Sequence, residues 1–196
     1  HVTDIRKGRK DPGLKAQHLH CIKALQKLSD CKAVGAELGS TELTFHPATL
    51  KPSSITINIG TAGSSALILQ ALLLPCIFAK EPITLTIKGG IDVKWATPID
   101  SFRFVLLPQL QKFATIEVKL IKRGYYPQGN GEIEVAIMPK VGLANERIGT
   151  FLQKIRRCIE PYALTKQEQI KKISGIAYSS KDLEKNRVAE RMVQGA

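Results

Sequence analysis

An α+β fold, with helices layered on one face of a sheet, is what this sequence predicts. Three observations carry the prediction. Short runs that alternate apolar and polar residues are interleaved with runs whose apolar residues recur at helical spacing. Turn dipeptides, Gly39-Ser40 and Asn130-Gly131, join strand-like runs directly to one another. A helix-plus-strand pattern also recurs at an offset of 33 residues, laying "LLLP" at 72–75 on "VLLP" at 105–108 and Ile83, Leu85 and Ile87 on Ile116, Val118 and Leu120. Strands linked by hairpins, with helices between them, favour α+β layers over a doubly wound parallel sheet.

The elements follow in order. "IRKGRKDPGLKAQHL" (5–19) places four cationic side chains in six positions, breaks at Asp11-Pro12-Gly13 and enters a helix. Leu14, His18, Cys21, Ile22, Leu25 and Leu28 recur at helical spacing, so the helix is expected over 13–29, with Pro12 suited to its first turn. "KAVGAEL" (32–38) and "TELTFHP" (41–47) should pair as a hairpin. "SITINIG" (54–60) reads as a strand, "TAGSSALILQALLLPCIFAK" (61–80) as a helix apolar on nearly all faces, and "ITLTIKGG" (83–90) as a strand. A helix over 97–113 and a strand over 115–124 repeat the design, and "RGYYPQGNGEIEV" (123–135) turns into a further strand. Beyond the polar link 141–150, a helix at 150–160, a strand at about 168–178 and a charged helix from Lys181 are expected. The organisation expected is a large repeated-unit domain over 1–143 and the beginning of a small inserted α+β domain over 144–196. The chain opens on His1 and stops inside helical periodicity, which reads as a fragment of something longer.

Twenty-nine Lys and Arg against 17 Asp and Glu give 196 residues a formal charge of +12 and a pI near 9.7. That balance points to a polyanionic partner such as nucleic acid. Aromatic residues make up only 6%, so phosphate contacts should outweigh base-stacking platforms. Cys21, Cys31, Cys76 and Cys158 form neither C-x-x-C pairs nor a secreted disulfide framework, so reduced thiols are expected. The most apolar run, "SALILQALLLPCIFA", is interrupted by Gln70 and Pro75 and is too short to span a bilayer. No signal peptide is read, no membrane association is expected, and a cytoplasmic location follows.

Several constellations could carry chemistry. The cations before the first helix fit an anion site, since a helix N-terminus attracts phosphate and arginines add bidentate donors; a solvated loop is the bland alternative. Gln17 and His18 lie one turn in, with His18 either a satisfied core histidine or a ligand contact. "GTAGSS" (60–65) joins a strand to a helix and lets backbone approach an anion, though it lacks the Lys-Ser/Thr of a P-loop. Gln70 is the one polar side chain besides the Cys76 thiol between Ala66 and Ala79, and burying an unpartnered amide costs roughly 1–3 kcal/mol. Either a neighbouring backbone satisfies it or a ligand does. Thr97-Pro98-Ile99-Asp100 fits a capping box, while Asp92 and Trp95 in the preceding loop are candidates for a polar contact and base stacking. Arg123, Tyr125 and Tyr126 add charge and aromatic faces at the hairpin mouth. With His only at 1, 18, 20 and 46 and no clustered Cys, no metal site and no Ser-His-Asp arrangement is read from spacing.

Taken together, "IRKGRKDPGLKAQHL", "GAELGSTELTFHP", "IGTAGSSALILQALLLP", "GGIDVKWATPIDSFRFVLLP" and "RGYYPQGNGEIEV" resemble the RNA 3'-terminal phosphate cyclases, from residue 5 to about 138 and again through "IKKISGIAYSS". The resemblance implies repeated units, each a pair of helices on a four-stranded sheet, an architecture shared with enolpyruvyl transferases, with a small α+β domain inserted. It implies ATP-dependent conversion of an RNA 3'-phosphate to a 2',3'-cyclic phosphate through a protein-histidine adenylate and an RNA adenylate. ATP, a divalent metal (Mg2+) and RNA with a 3'-phosphate end are the cofactors and partners it implies. By motif position, Gln70, His18 and Gln17 would contact ATP, and Arg6, Arg9 and Arg123 phosphate or RNA. The nucleophilic histidine of the family belongs to a C-terminal segment outside this chain, so no catalytic residue is expected here and the 196 residues alone should not turn over. Asn130 replaces the middle of three family glycines, and Asn tolerates left-handed geometry. Two other classes compete: a non-catalytic cyclase-like protein of ribosome assembly, and an enolpyruvyl transferase-like enzyme.

Overall fold

Helix α1 (Ala16–Leu28) buries Leu19, Ile22, Ala24 and Leu28; of the stripe expected from spacing, Ile22 and Leu28 are buried, Cys21 and Leu25 are partly buried against the core, His18 is half-buried, and Leu14 is buried ahead of the helix. The computed structural model describes residues 1–51, 53–143, 146–163, 165–166 and 169–196. α1 starts later than the expected residue 13 because Leu14 is drawn into pairing: its N–H donates to the Ser40 carbonyl at 2.9 Å and its own carbonyl accepts from Gly39. Gly13 beside it has φ +79°, and a Cβ there would stand 2.1 Å from the Gly39 oxygen, so only glycine fits this approach. β1 (Lys32–Val34) and β2 (Thr44–His46) form the expected antiparallel pair, with Ala33 opposite Phe45.

The main sheet is built from β3 (Ser53–Asn58), β4 (Ile83–Gly89), β5 (Ala114–Lys122) and β6 (Gly131–Pro139), in the order β3–β4–β6–β5. β3 and β4 are parallel, joined across helix α2 (Ser65–Ile77); the other pairs are antiparallel. Alternation is strict along β4, where Ile83, Leu85, Ile87 and Gly89 are buried and Thr84, Thr86 and Lys88 are not. α2 packs on β4 and β6 and against α1, so both helices cover the same apolar face. The opposite face is polar, with Lys88 paired to Glu132 at 3.4 Å and Lys119 beside Glu134 in register. Lys27 of α1 donates to the Thr56 carbonyl on β3, and the β5–β6 register shifts between Leu120 and Lys122.

The 33-residue repeat has a direct structural meaning. Ile83, Ile137 and Ile116 form one row across β4, β6 and β5; Leu85, Val135 and Val118 form the next; Ile87, Ile133 and Leu120 the third. Residues matched by the repeat therefore occupy the same level of the core on either side of β6. The helix preceding β5 is less regular than its counterpart. Expected as one helix over 97–113, it consists of α3 (Ile99–Ser101), a π turn (Phe102–Leu106) in which the Leu107 N–H reaches back to the Phe102 carbonyl, and α4 (Leu107–Leu110). Pro108 lacks the N–H that an α-helical bond to Phe104 needs, and the wider turn ahead of it accommodates the loss.

Past β6, α5 (Ile148–Cys158) buries Phe151, which with Phe113 meets Phe78 edge-on at centroid distances of 5.3 and 5.8 Å. α5 thereby belongs to the compact unit His1–Glu160; Pro161–Ala196 form a second unit. Within that unit a 3-10 segment (Lys181–Asn186) and α6 (Val188–Gln194) stand where one charged helix was expected, broken at Arg187 with φ +47°. The strand expected at about 168–178 is not formed over 169–178, and Glu168 lies outside the described residues. Ile170, Ile173 and Ile176 recur every three positions and are exposed, so no alternating apolar face exists to be covered.

Candidate functional site

Parallel β3 and β4 end side by side, and the β5–β6 hairpin closes at the same end. Three loops consequently meet there. The loop after β3 is stitched to the one after β4 by Ser65 N–H to Gly90 carbonyl and Gly90 N–H to Gly63 carbonyl, both 2.8 Å. The loop after β4 is tied to the hairpin by Ile91 N–H to the Gly124 carbonyl, 2.8 Å. Such approach requires bare backbone: a Cβ on Gly90 would come within 2.4 Å of the Ala62 oxygen. The hairpin's left-handed pair is Gly129 (φ +75°) and Asn130 (φ +53°), one residue earlier than the Asn130-Gly131 turn read from sequence, because Gly131 is already paired with Gly89 in the sheet.

The loops enclose a cavity of about 520 Å³ at the N-terminus of α2, lined by Gln17, Ser64, Leu67, Lys94, Trp95 and Tyr126 among others. Ser64 caps α2, its hydroxyl accepting from the Leu67 N–H at 3.2 Å. Ser65 behind it is buried with a hydroxyl that has no hydrogen-bond partner among the described residues. Trp95 (φ +68°) and Tyr126 are 88% and 81% exposed, and the Lys94 ammonium lies 5.2 Å from the Trp95 ring centroid. Gln17 reaches the site over Gly63, where an added Cβ would sit 3.7 Å from its own. Helix N-terminus, lysine, amide and two aromatic faces are the chemistry that binds a phosphate joined to a planar ring. A groove of about 560 Å³ at the opposite end of α2, lined by Leu50, Leu74, Phe78 and Ile148, carries Lys80 as its one charged lining group and no comparable convergence of polar groups.

His18 stands next to this site on α1. Its Nδ1 accepts from the Lys15 N–H at 3.0 Å, which assigns the ring proton to Nε2. Burial first, then the charges of Arg6 and Lys15, hold its pKa below the usual 6.5, so the ring is neutral at pH 7. Arg6 is thus close enough to His18 to act on its charge, yet its guanidinium also donates to the Asp11 and Gly13 carbonyls at 2.6 and 3.3 Å and folds the basic loop on itself. Arg9 is exposed on that loop.

Three readings from sequence change here. Gln70 is exposed on α2, one turn beyond Leu67, and is not among the residues lining the cavity, so the expected cost of burying its amide does not arise. Arg123 is not an open phosphate contact, because its Nη1 donates to Asp92 and its Nη2 to Asp100 at 2.5 Å. Burial works against its charge, but the hydrogen bonds to Asp100 and Asp92 prevail and raise its pKa. Asp100 also accepts from Arg103 at 3.3 Å, and the carboxylate that caps the Ile99 N–H, at 3.2 Å, is Asp92 instead of a Thr97 box. Lys94 and Ser65 were not singled out by sequence reasoning. Lys94 had a signal, as the cation next to the sole tryptophan; Ser65 had none.

Among the described residues no group of three His, Cys, Asp or Glu side chains gathers as a metal cage, and no helix is long and apolar enough to cross a membrane. The sequence model of the RNA 3'-terminal phosphate cyclase family matches residues 1–193. The chain is 41% identical to an RNA 3'-terminal phosphate cyclase of Archaeoglobus fulgidus over 160 residues, 80% of this chain and 49% of that protein. It is 39% identical to one from Pyrococcus furiosus over all 196 residues, 52% of that protein, and 45% identical over 139 residues to one from Ignicoccus hospitalis, covering 70% of this chain and 39% of that protein. The chain spans about half the length of the first two relatives.

Proposed function

Because this chain belongs to the RNA 3'-terminal phosphate cyclase family, we propose that the protein carrying it converts an RNA 3'-terminal phosphate to a 2',3'-cyclic phosphate at the expense of ATP. The observation that carries the proposal is the cavity at the α2 N-terminus, where Gln17, Lys94, Trp95 and Tyr126 converge in a chain of this family. Its volume suits a nucleotide. ATP supplies the activation: a protein histidine attacks its α-phosphate and pyrophosphate leaves, the RNA 3'-phosphate takes AMP and frees the histidine, and the neighbouring 2'-OH then attacks that phosphorus, losing its proton as AMP leaves with the electron pair. The histidine proposed to take AMP is none of His1, His18, His20 and His46.

The roles proposed for this chain are those of binding. Gln17 and Lys94 donate to phosphate oxygens, the α2 N-terminus adds its dipole, and Arg6, Arg9 and the neutral His18 stand on the adjoining rim of the nucleotide and RNA end. Gln70, on the solvent side of α2, would meet ATP from outside the cavity. A divalent ion is expected with ATP; Asp92 and Asp100 are committed to Arg123, and the described residues form no cage for it. The cavity lies within the large repeated-unit domain read over 1–143, and the proposed inserted domain begins beyond α5, since α5 packs with that unit. Four free thiols support a cytoplasmic setting.

Incubation of the full-length protein with α-labelled ATP and a 3'-phosphorylated RNA tests the reading. An acid-labile protein adenylate and an RNA end resistant to phosphatase are expected. Tight RNA binding with neither product would instead assign the scaffold to assembly work.

A further inference from the structure

Arg123 closes a network that ties both ends of one loop to a single side chain. Asp92 begins the loop and Asp100 follows it; the guanidinium donates to both, and all three side chains are largely buried. The remaining carboxylate oxygens are also engaged, Asp92 by the Ile99 N–H and Asp100 by Arg103. Between these anchors run Val93 to Pro98, including Lys94 and Trp95, which face the cavity. Three residues beyond Arg123 comes Tyr126, on the same cavity. The Ile91 and Asp92 N–H groups both donate to the Gly124 carbonyl, so backbone and side chain fasten the loop to the hairpin at one place.

A largely buried charge cluster of this kind is weak as a source of stability, since apolar packing of the same volume would serve as well. What a planar fork with fixed donor directions supplies is orientation. We infer that Arg123 is a positioning residue for the nucleotide cavity: it fixes the 93–98 loop at both ends and thereby sets where Lys94 and Trp95 stand relative to Tyr126. The inference rests on the proposed nucleotide reading for its ligand, but its mechanical content is independent of it.

Trp95 is the only tryptophan of these 196 residues, so in this chain its fluorescence reports on the loop. The experiment compares wild type, R123K and R123A by far-UV circular dichroism, by nanosecond anisotropy of Trp95 without ligand, and by titration with ATP and separately with a 3'-phosphorylated oligonucleotide. Lysine keeps the charge but cannot hold two carboxylates in one plane. R123K should fold, show a larger amplitude of fast Trp95 motion, and bind ATP or the oligonucleotide about ten-fold more weakly, the scale of loss when a supporting contact is removed from an ordered site. R123K with wild-type anisotropy and wild-type affinity overturns the inference, even if R123A unfolds, because the arginine would then be a structural tie only. Should neither ligand perturb Trp95 in the wild type while R123K still frees the loop, the nucleotide reading falls and the clamp stands.

Discussion

At the first turn of α1, the Nδ1 of His18 accepts from the Lys15 amide, an arrangement open only to the neutral ring. Its pKa is held below 6.5 in the folded chain, by burial and then by Arg6 and Lys15. Between that lowered value and 6.5, the unfolded chain binds a proton that the folded chain refuses. This contribution to stability is therefore whole above pH 6.5 and is lost as pH falls through the folded value. An NMR titration of the His18 ring should give a midpoint below 6.5, and Arg6→Gln should raise it; an unmoved midpoint would remove Arg6 as a cause. The thiols make a second test. Burial pushes Cys76 up to about 12 and Cys21 to about 11, whereas Cys158 is exposed, so a thiol reagent applied to the native chain at pH 8 should label Cys158 first and Cys76 last. Spacing put His18 on the apolar stripe of α1, but the ring is half-buried and its neighbour Leu19 is the buried residue of that turn. Gln70 was misread because an all-apolar helix was taken to be buried all round, while Ala71 and Leu74 beside it are exposed too.

α2 is the element on which both the core and the site depend. Its cap is local: Ser64→Ala should cost about 1 kcal/mol by denaturant unfolding, since the Leu67 N–H loses its acceptor. Its core contacts are not, and Ile68→Ala, at a fully buried position, should cost roughly 2–5 kcal/mol. If the two substitutions proved equal, the apolar face of α2 would not be the main source of stability assigned to it. Helices, strands and the repeat were legible because periodicity encodes which face is covered, and the three cross-strand rows realise it. The π turn before Pro108 and the one-residue shift of the hairpin turn were not. Both arise from competition: a missing N–H in one case, and in the other the sheet pairing of Gly131, which depends on a strand some forty residues away.

Across the whole chain, +12 of formal charge predicts that the proposed RNA binding follows counterion release. The logarithm of the association constant should fall linearly with the logarithm of salt concentration. A flat dependence would detach the basic character from RNA. Composition shows the charge, but only the fold shows how its members divide, with Arg123 closed into a cluster and Arg9 exposed. Limited trypsin digestion should cut at Lys166, Lys171 and Lys172, exposed and outside regular structure, well before the lysines of β4 and β5. The strand order has one more consequence. A sheet that ends at β3 and β5 presents two rows of backbone amides and carbonyls that another molecule could extend by strand accretion. On one margin Lys27 already occupies the Thr56 carbonyl; on the other, Lys119, Lys122 and the irregular step after Leu120 interrupt any flat template. Each border thus carries a feature that opposes growth into fibrils.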